Sequence, residues 1–541
     1  MSQPIIKIKP VGGVGQIGSN MTFLEHNGVR ILIDAGTLFP YEDFFDIDYL
    51  IPDLTKVETP DYLLITHGHE DHIGAIFNII QAFPNIKIVA PKFAAALIRK
   101  KLEFNKRPYP VEVINYNSSL KFNGFSVDYI QVNHSIPDTY GLYFSFDIHQ
   151  TGIFFVSDFK IDHKTKYEPF FDFTKLKQLS KKHTTKVLLA DSTNITSNTH
   201  NTPSEFDLID SFESIFQNLN HRAFITMFSS NIHRIHTILF LAEKYQFKVV
   251  PYGRSMISYI NTAIEEGFLP AFEKTLQTAD STKNNQENII VLLSGCQGDF
   301  LGTFRRVSLG VDSLFKVRST DTFILSSKAI PGNEKKINLL MNKISSFGAK
   351  LISPSDMLIH VSGHPGKNDL LKLYQEFMPT DIIPIHGEVH FIREHISFIK
   401  STFPQACPHF VLNFDEVHFN SEMKIQIVEG EKHDPVIFHG NHIVLEKEKI
   451  SERRKMACNG SIFLSVKLDH LSKYKSHLIH LLGIPKIITE NRQHFDEFLF
   501  NELQKVNFKD HEKSSEELKI SIRRYFDSKL GYKPTTVVHI Q

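Results

Sequence analysis

The stretch Thr66–Ala75, THGHEDHIGA, places His67, His69, Glu70, Asp71 and His72 within six residues. Upstream lies DYLLIT (Asp61–Thr66), an apolar run of strand length. Downstream, IGAIFNIIQAF (Ile73–Phe83) carries apolar residues at helical spacing. The polar cluster therefore falls on a strand-to-helix turn. A lone histidine is ordinarily a hydrogen-bonded or surface residue. Four ligand-type side chains on one turn, His67, His69, Asp71 and His72, instead supply the imidazole and carboxylate donors suited to zinc or manganese.

Such a site needs further ligands, expected where an apolar strand ends in His or Asp. Three places qualify: FSVDYIQVNHSIPD puts His134 after an alternating strand, GIFFVSDFKID puts Asp158 after an apolar one, and TDIIPIHGE puts His386 after a third. Each alone is more often structural. Joined to the first motif they make two nitrogen-rich sites bridged by one carboxylate, the requirement of a two-metal hydrolase.

At 541 residues the chain exceeds one ordinary hydrophobic core, so two or three domains are expected. Lys plus Arg and Asp plus Glu each total 60, which removes overall charge as an argument for a nucleic-acid or membrane partner. Cys296, Cys407 and Cys458 are too few and too scattered for a disulfide framework or a cysteine zinc site. With no signal-like core in MSQPIIKIKPVGG and no run of membrane-spanning length, a cytoplasmic protein without a membrane partner is expected.

Gly13-Val-Gly15-Gln-Ile-Gly18 satisfies the dinucleotide fingerprint G-x-G-x-x-G, but that fingerprint must open a helix. Here SNMTFLEHNGVRILIDAG (Ser19–Gly36) reads as two strands around the Asn27-Gly28 turn, so a glycine-rich turn between strands is expected.

GGVGQIGSNM, IDAG, THGHEDHIGA, HSIPD, SDFKID, ADSTN, SSNIHRI, GRSM, SSKAIPGNE, HVSGH and PIHGE follow one another along nearly the whole chain. In this order they resemble the β-CASP nucleases of the metallo-β-lactamase superfamily, and the bacterial ribonuclease J family in particular. The resemblance implies a metallo-β-lactamase αββα sandwich with an inserted β-CASP α/β domain and a small α/β C-terminal domain. It implies that His67, His69 and His134 hold one divalent ion, that Asp71, His72 and His386 hold another, and that Asp158 bridges them. Zinc is expected first, with manganese or magnesium as alternatives. Asp34, ending RILID, resembles an acidic residue that supports the ligands; a turn aspartate is the equal alternative.

His386 lies more than two hundred residues beyond Asp158, so the intervening segment reads as an insertion. From Asn198 to Asp356, strand and helix patterns alternate, as in a mostly parallel sheet with helices on its faces. The expected organisation is residues 1–197 and 357–438 for the metal-bearing domain, 198–356 for the β-CASP domain, 439–459 for a linker and 460–541 for a C-terminal domain that assists oligomerisation in this family. Some members carry calcium near the position of Asp48, but His439 stands where a second aspartate is expected.

HVSGHPG precedes the helical pattern KNDLLKLYQEFM, a placement that presents N–H groups to a phosphate. By resemblance His360, Val361, Ser362, Gly363 and His364 bind substrate, His364 also protonating the leaving group, with Asp71 and Asp158 as catalytic partners. Pro365 departs from the small residue expected there. Ser229, Ser230 and Asn231 precede another helix and join the pocket by resemblance, although their residues alone read as an N-cap. Asp191 in LLADSTN matches a β-CASP motif. Two basic clusters, RKKLEFNKRPY (Arg99–Tyr109) and Arg305-Arg306, are solvated surface or track an RNA backbone.

The resulting expectation is a cytoplasmic two-metal ribonuclease, acting as endonuclease and 5′–3′ exonuclease. It prefers 5′-monophosphorylated RNA, forms a dimer or tetramer, and has partners in RNA degradation. The alternatives are a DNA-directed β-CASP nuclease, a non-catalytic scaffold of an RNA-degrading complex, and a small-molecule hydrolase, which would need neither the insertion nor HVSGH.

Overall fold

Alternate residues of a strand face opposite sides of its sheet, and this rule sorts the apolar residues of the chain into layers. In the computed structural model, which describes residues 4–40, 47–198, 200–282, 286–330, 332–440, 443–490 and 492–541, two sheets form the centre of the larger unit. One has eight strands in the order Ile425–Val428, Glu416–Phe419, Ile6–Gly12, Met21–His26, Val29–Ile33, Tyr62–Leu64, Lys87–Ala90 and Val111–Val113. The other has seven, in the order Cys407–Pro408, Asp381–Ile385, Thr185–Asp191, Thr151–Val156, Thr139–Phe146, Phe125–Val132 and Leu120–Phe122.

Leu24, Ile31, Ile33 and Leu64 from the first sheet meet Val127, Leu142, Phe144, Ile153 and Leu189 from the second in one buried cluster. The opposite faces are covered by helices. Leu32, Leu63 and Ile88 pack with Ile76, Ile79, Phe93 and Ile98; Phe154, Leu188 and Ile382 pack with Leu370, Leu373, Tyr374 and Phe377. This is the expected αββα sandwich. Between Asp191 and Asp381 the chain builds a separate five-stranded parallel sheet, ordered Lys248–Tyr252, Ile289–Leu293, Ala223–Thr226, Thr322–Leu325 and Lys350–Ile352.

The smaller unit contains a three-stranded sheet, Tyr474–Leu482, Ser461–Leu468 and Thr535–Ile540, with Phe495, Leu499, Leu518, Ile522 and Phe526 from its two longest helices buried against it. The segment read as a linker contains the helix Lys447–Asn459, none of whose residues is buried. Its charge density hid it from apolar-periodicity reading, since no face is apolar.

The glycine fingerprint opens no helix: Gly13, Gly15 and Gly18 have φ of 84°, 88° and 99° in the connection between Ile6–Gly12 and Met21–His26. Asn27 and Gly28, at φ 49° and 76°, make the hairpin turn that joins Met21–His26 to Val29–Ile33. The helix read over Ile73–Phe83 is broken in two, Glu70–Ile73 and Ile76–Ala82, because the Ala75 N–H leaves the helix to donate to Ala35 O at 2.8 Å. The loop read over Ser281–Asn288 lies partly outside the described residues.

That Ala35–Ala75 bond belongs to a tight crossing in which the IDAG turn lies directly on the histidine-rich turn. A Cβ at Gly36 would stand 1.6 Å from Asp71 O and 2.6 Å from Asn20 N, both backbone atoms. Gly36→Ala is therefore expected to move the urea unfolding midpoint by an amount equivalent to roughly 3 kcal/mol or more, since backbone cannot yield as a side-chain tip does. An unchanged midpoint would show that the crossing relaxes freely.

Candidate metal centre

Side-by-side parallel strands of the second sheet deliver their C-terminal residues to one edge. Val156 pairs with Ala190, and Asp191 with Ile385, so Asp158, Asp191 and His386 emerge next to one another. His134 follows the strand Phe125–Val132, one strand removed from Thr151–Val156, and Asn133 bridges to Lys160. The first sheet contributes Thr66–His72 from the end of Tyr62–Leu64. His386 and Asp34 adopt left-handed backbone, φ 49° and 61°, to turn into the site from their strand ends.

The donors converge closely. His67 Nε2 and His134 Nε2 each lie 3.1 Å from His69 Nδ1. His72 Nε2 and His386 Nδ1 lie 3.0 and 3.3 Å from Asp158 Oδ1, and His134 Nε2 lies 3.5 Å from Asp158 Oδ2. Asp71 Oδ2 stands 3.6 Å from His72 Nε2 and 3.5 Å from His386 Nε2. Three mutually facing imidazole nitrogens cannot satisfy one another with protons. A tetrahedral ion with bonds of about 2.0–2.1 Å holds its donors roughly 3.3 Å apart, which matches these separations.

Two observations show that the cluster is fitted to cations. Asp158 Oδ1 and His386 Nε2 are buried with no hydrogen bond from the protein; the histidine nitrogens near Asp158 Oδ1 approach it without the alignment of one. Burial also drives the His67 and His134 imidazoles well below their ordinary pKa, and His69 down to about 4, leaving these rings neutral and able to bind a metal. Burial works against the ionised forms of Asp71 and Asp158, yet histidines around them hold both carboxyls well below the usual range.

The second layer fixes ring orientation. Asp34, wholly buried, accepts from Thr66 N and Thr66 Oγ at 2.8 Å each and from His72 Nδ1 at 2.8 Å, which turns His72 Nε2 toward the cluster. His134 Nδ1 donates to Gly363 O at 2.7 Å, leaving its Nε2 free. Asn20, which sequence reading passed over within GSNM, donates to Asp71 Oδ2 at 3.2 Å. Its short amide among glycines gave no periodic signal.

His364 Nδ1 lies 2.8 Å from the buried Asp191 Oδ2 and 3.7 Å from Asp158 Oδ2, at the mouth of the cluster. Burial lowers its proton affinity, but Asp191 outweighs that and the net pKa is raised. His364 O accepts from Asn194 Nδ2 and Thr202 Oγ at 3.1 and 2.7 Å, so the segment is anchored on both sides.

Other residues expected to touch substrate are partly spent on structure. Asn231 caps the helix Ile232–Lys244, accepting from Arg234 N at 3.0 Å and donating to Glu205 Oε1 at 2.9 Å, so its side chain is a buried cap. The Val361 side chain is buried in the core, and Gly363 is needed for closeness, since a Cβ there would lie 2.7 Å from the His134 ring. Ser362 Oγ accepts from His364 N at 3.1 Å. Ser229 and Ser230 remain partly exposed, with Ser229 Oγ 3.2 Å from Ser255 Oγ of GRSM.

Much of the basic surface is likewise engaged. Arg99 binds Val111 O, Lys100 pairs with Glu265, Lys101 with Glu70, and Arg306 with Asp312. Asp48 accepts from Gly440 N at 2.5 Å.

Comparison with known proteins agrees with this geometry. Residues 14–155 match the metallo-beta-lactamase superfamily, 220–344 the ribonuclease J beta-CASP domain, and 356–403 the Zn-dependent metallo-hydrolase RNA specificity domain. The chain is 30% identical over 507 residues to ribonuclease J of Synechocystis, covering 90% of this chain and 77% of that one. It belongs to the ribonuclease J family. Ribonuclease J 1 of Streptococcus pyogenes is 34% identical over 395 residues, 71% of this chain and 69% of its own. A protein of unknown function from Enterococcus faecalis V583 shares the fold, with a TM-score of 0.54 and 14% identity over 76% of this chain and 99% of that one. As a ribonuclease J-family protein with β-CASP and metallo-β-lactamase domains, the chain is a metal-dependent hydrolase acting on RNA.

Because Asp34 orients His72 without facing the donor cluster itself, Asp34→Ala is expected to weaken metal affinity about 10- to 100-fold while leaving the chain folded. Competition with a chromophoric chelator measures this. Wild-type affinity in the variant would reduce Asp34 to a turn residue.

Proposed function

We propose that this chain cuts RNA phosphodiesters internally and also removes nucleotides from a 5′-monophosphorylated end, using one centre for both, in RNA processing and decay. The observation that carries this reading is the gathering of seven donors in overlapping clusters, two of whose atoms, Asp158 Oδ1 and His386 Nε2, are buried without a hydrogen bond. In this reading His67, His69 and His134 form one site, Asp71, His72 and His386 the second, and Asp158 joins them. Five imidazoles favour zinc over magnesium, with manganese next. Two divalent ions, when bound, supply a nucleophilic water at neutral pH and neutralise charge on the phosphate.

The protein's own groups do the rest. His364 is held at Nδ1 by Asp191 and keeps its proton more firmly than an ordinary histidine, a state suited to protonating the departing 3′ oxygen from Nε2. Ser229, Ser230 and the 360–364 segment bind the terminal phosphate one nucleotide away, which sets the next phosphodiester against Asp158 and its neighbours.

We assign residues 1–197 and 357–438 to the catalytic domain, 198–356 to the β-CASP insertion, 439–459 to the connection and 460–541 to the C-terminal domain. On the exposed face of that last sheet Phe463, Leu478, Leu482 and Val537 lie together, which supports self-association as a dimer or tetramer. None of the helices among the described residues is long and apolar enough to cross a membrane. We place the protein with its RNA in the cytoplasm, alongside partners in RNA degradation.

The test uses metal-loaded protein on a 5′-monophosphorylated RNA, the same RNA with a blocked 5′ end, and DNA of matched sequence. The expected products are mononucleotides from the first, internal fragments from the second and none from DNA. His364→Ala is expected to slow single-turnover cleavage by about 10² to 10⁴ with metal content retained. Equal cleavage of DNA would overturn the RNA assignment, and an unchanged single-turnover rate would remove His364 from the chemistry.

A further inference from the structure

Arg234 is fully buried, yet it lies inside a polar knot that the metal chemistry does not use. Its Nε donates to Glu205 Oε2 at 3.1 Å and Nη2 to Glu205 Oε1 at 2.7 Å, a two-pronged pair. Of the remaining hydrogens, one ties Nη1 to Ser326 O at 2.6 Å, after the strand Thr322–Leu325, and the others reach the HVSGH segment: Nη2 donates to Val361 O at 3.3 Å, and Nη1 lies 3.0 Å from His360 Nδ1. Ser326 Oγ donates to Ile359 O at 2.6 Å, closing the knot from the other side.

The chemistry of the last contact is decisive. A guanidinium has five N–H donors, no acceptor and a permanent charge. Where Nη1 bonds to His360 Nδ1, that nitrogen accepts and the single ring proton sits on Nε2; the competing arrangement has Nη1 on Ser326 Oγ, 3.3 Å away, and an Nδ1–H directed at the Ser326 backbone. Charged groups face His360 from three elements: Arg234 on Ile232–Lys244, Glu205 on Glu205–Leu208, and Lys328 beyond Thr322–Leu325. Burial, then Arg234 and Lys328, lower its proton affinity more than Glu205 and the Ser326 backbone raise it, and its pKa falls to about 3.

We propose that Arg234, itself fixed by Glu205, makes His360 a neutral, one-proton donor whose Nε2–H reads the 5′-phosphate, so that this histidine supplies direction and no charge. The inference rests on the reading that the 360–364 segment binds a terminal phosphate. It makes Arg234 a positioning residue and separates the two histidines of HVSGH by role: His360 stays neutral, whereas His364 holds its proton through Asp191. A consequence is that preference for a 5′-monophosphate should follow the second ionisation of the phosphate, near pH 6, and not a histidine titration.

The test combines nitrogen NMR of the ¹⁵N-histidine-labelled, zinc-loaded protein with RNA binding, the His360 signals being assigned by their loss in His360→Gln. Between pH 8 and 5 His360 is expected to remain the neutral Nε2–H form. Binding is then measured with a non-cleavable 2′-O-methyl RNA carrying either a 5′-monophosphate or a 5′-hydroxyl. His360→Ala is expected to cut affinity for the phosphorylated RNA roughly ten- to a hundredfold, and His360→Gln, which keeps a distal N–H without charge, to retain it within about threefold. An imidazolium at pH 6, or an Nδ1–H directed at Ser326 O, overturns the proposal whatever the RNA shows. A wild-type protein that binds both RNA ends equally overturns the terminal-phosphate reading beneath it.

Discussion

The Asp158 carboxylate is the point on which the site depends. It is almost wholly buried, lies at the end of a central strand, and faces His72, His134, His386 and His364 at 3.0 to 3.7 Å. An ionised carboxylate in such a place is tolerated only if positive charge is brought to it. The surrounding histidines come from both sheets and from positions as far apart in the sequence as 72 and 386. The αββα sandwich is thus the means of gathering donors from distant positions around one charge.

The framework behind the donors follows the same logic of paired or fully hydrogen-bonded charge. Asp34 uses both oxygens on Thr66 and His72, and Glu205 uses both on Arg234 and Asn231. Arg222, also fully buried, forms a matching two-pronged pair with Asp321 under the five-stranded sheet. Buried ion pairs add little net stability compared with apolar packing, but removing one partner is costly, so they hold loops to one geometry. That rigidity suits a centre whose donors must stand about 3 Å apart before an ion arrives.

What could be read from sequence was whatever repeats or clusters. THGHEDHIGA exposed the histidine-rich turn because six adjacent residues hold its imidazoles and carboxylates, and apolar runs leading to His134, Asp158 and His386 were visible as strands. The hairpin at Asn27-Gly28 was legible from its turn chemistry. Contacts made at long range by single side chains were not. Asn20 reaches Asp71 across 51 positions, and Arg234 reaches His360 across 126, with no local pattern to mark either. Asn231 shows the opposite difficulty: a pocket residue and a helix cap look alike before the helix is placed, and here the cap claims its side chain. The helix Lys447–Asn459 was missed because a charged, unburied helix lacks the apolar stripe on which periodicity depends.

The most direct test of this account is the metal content of purified protein, by elemental analysis after loading and gel filtration, for the wild type and for Asp158→Ala. A carboxylate shared between two sites predicts two divalent ions per wild-type chain and weakened retention at both sites in the variant, with circular dichroism unchanged. One ion in the wild type, or a variant that keeps both as tightly, would contradict the shared centre.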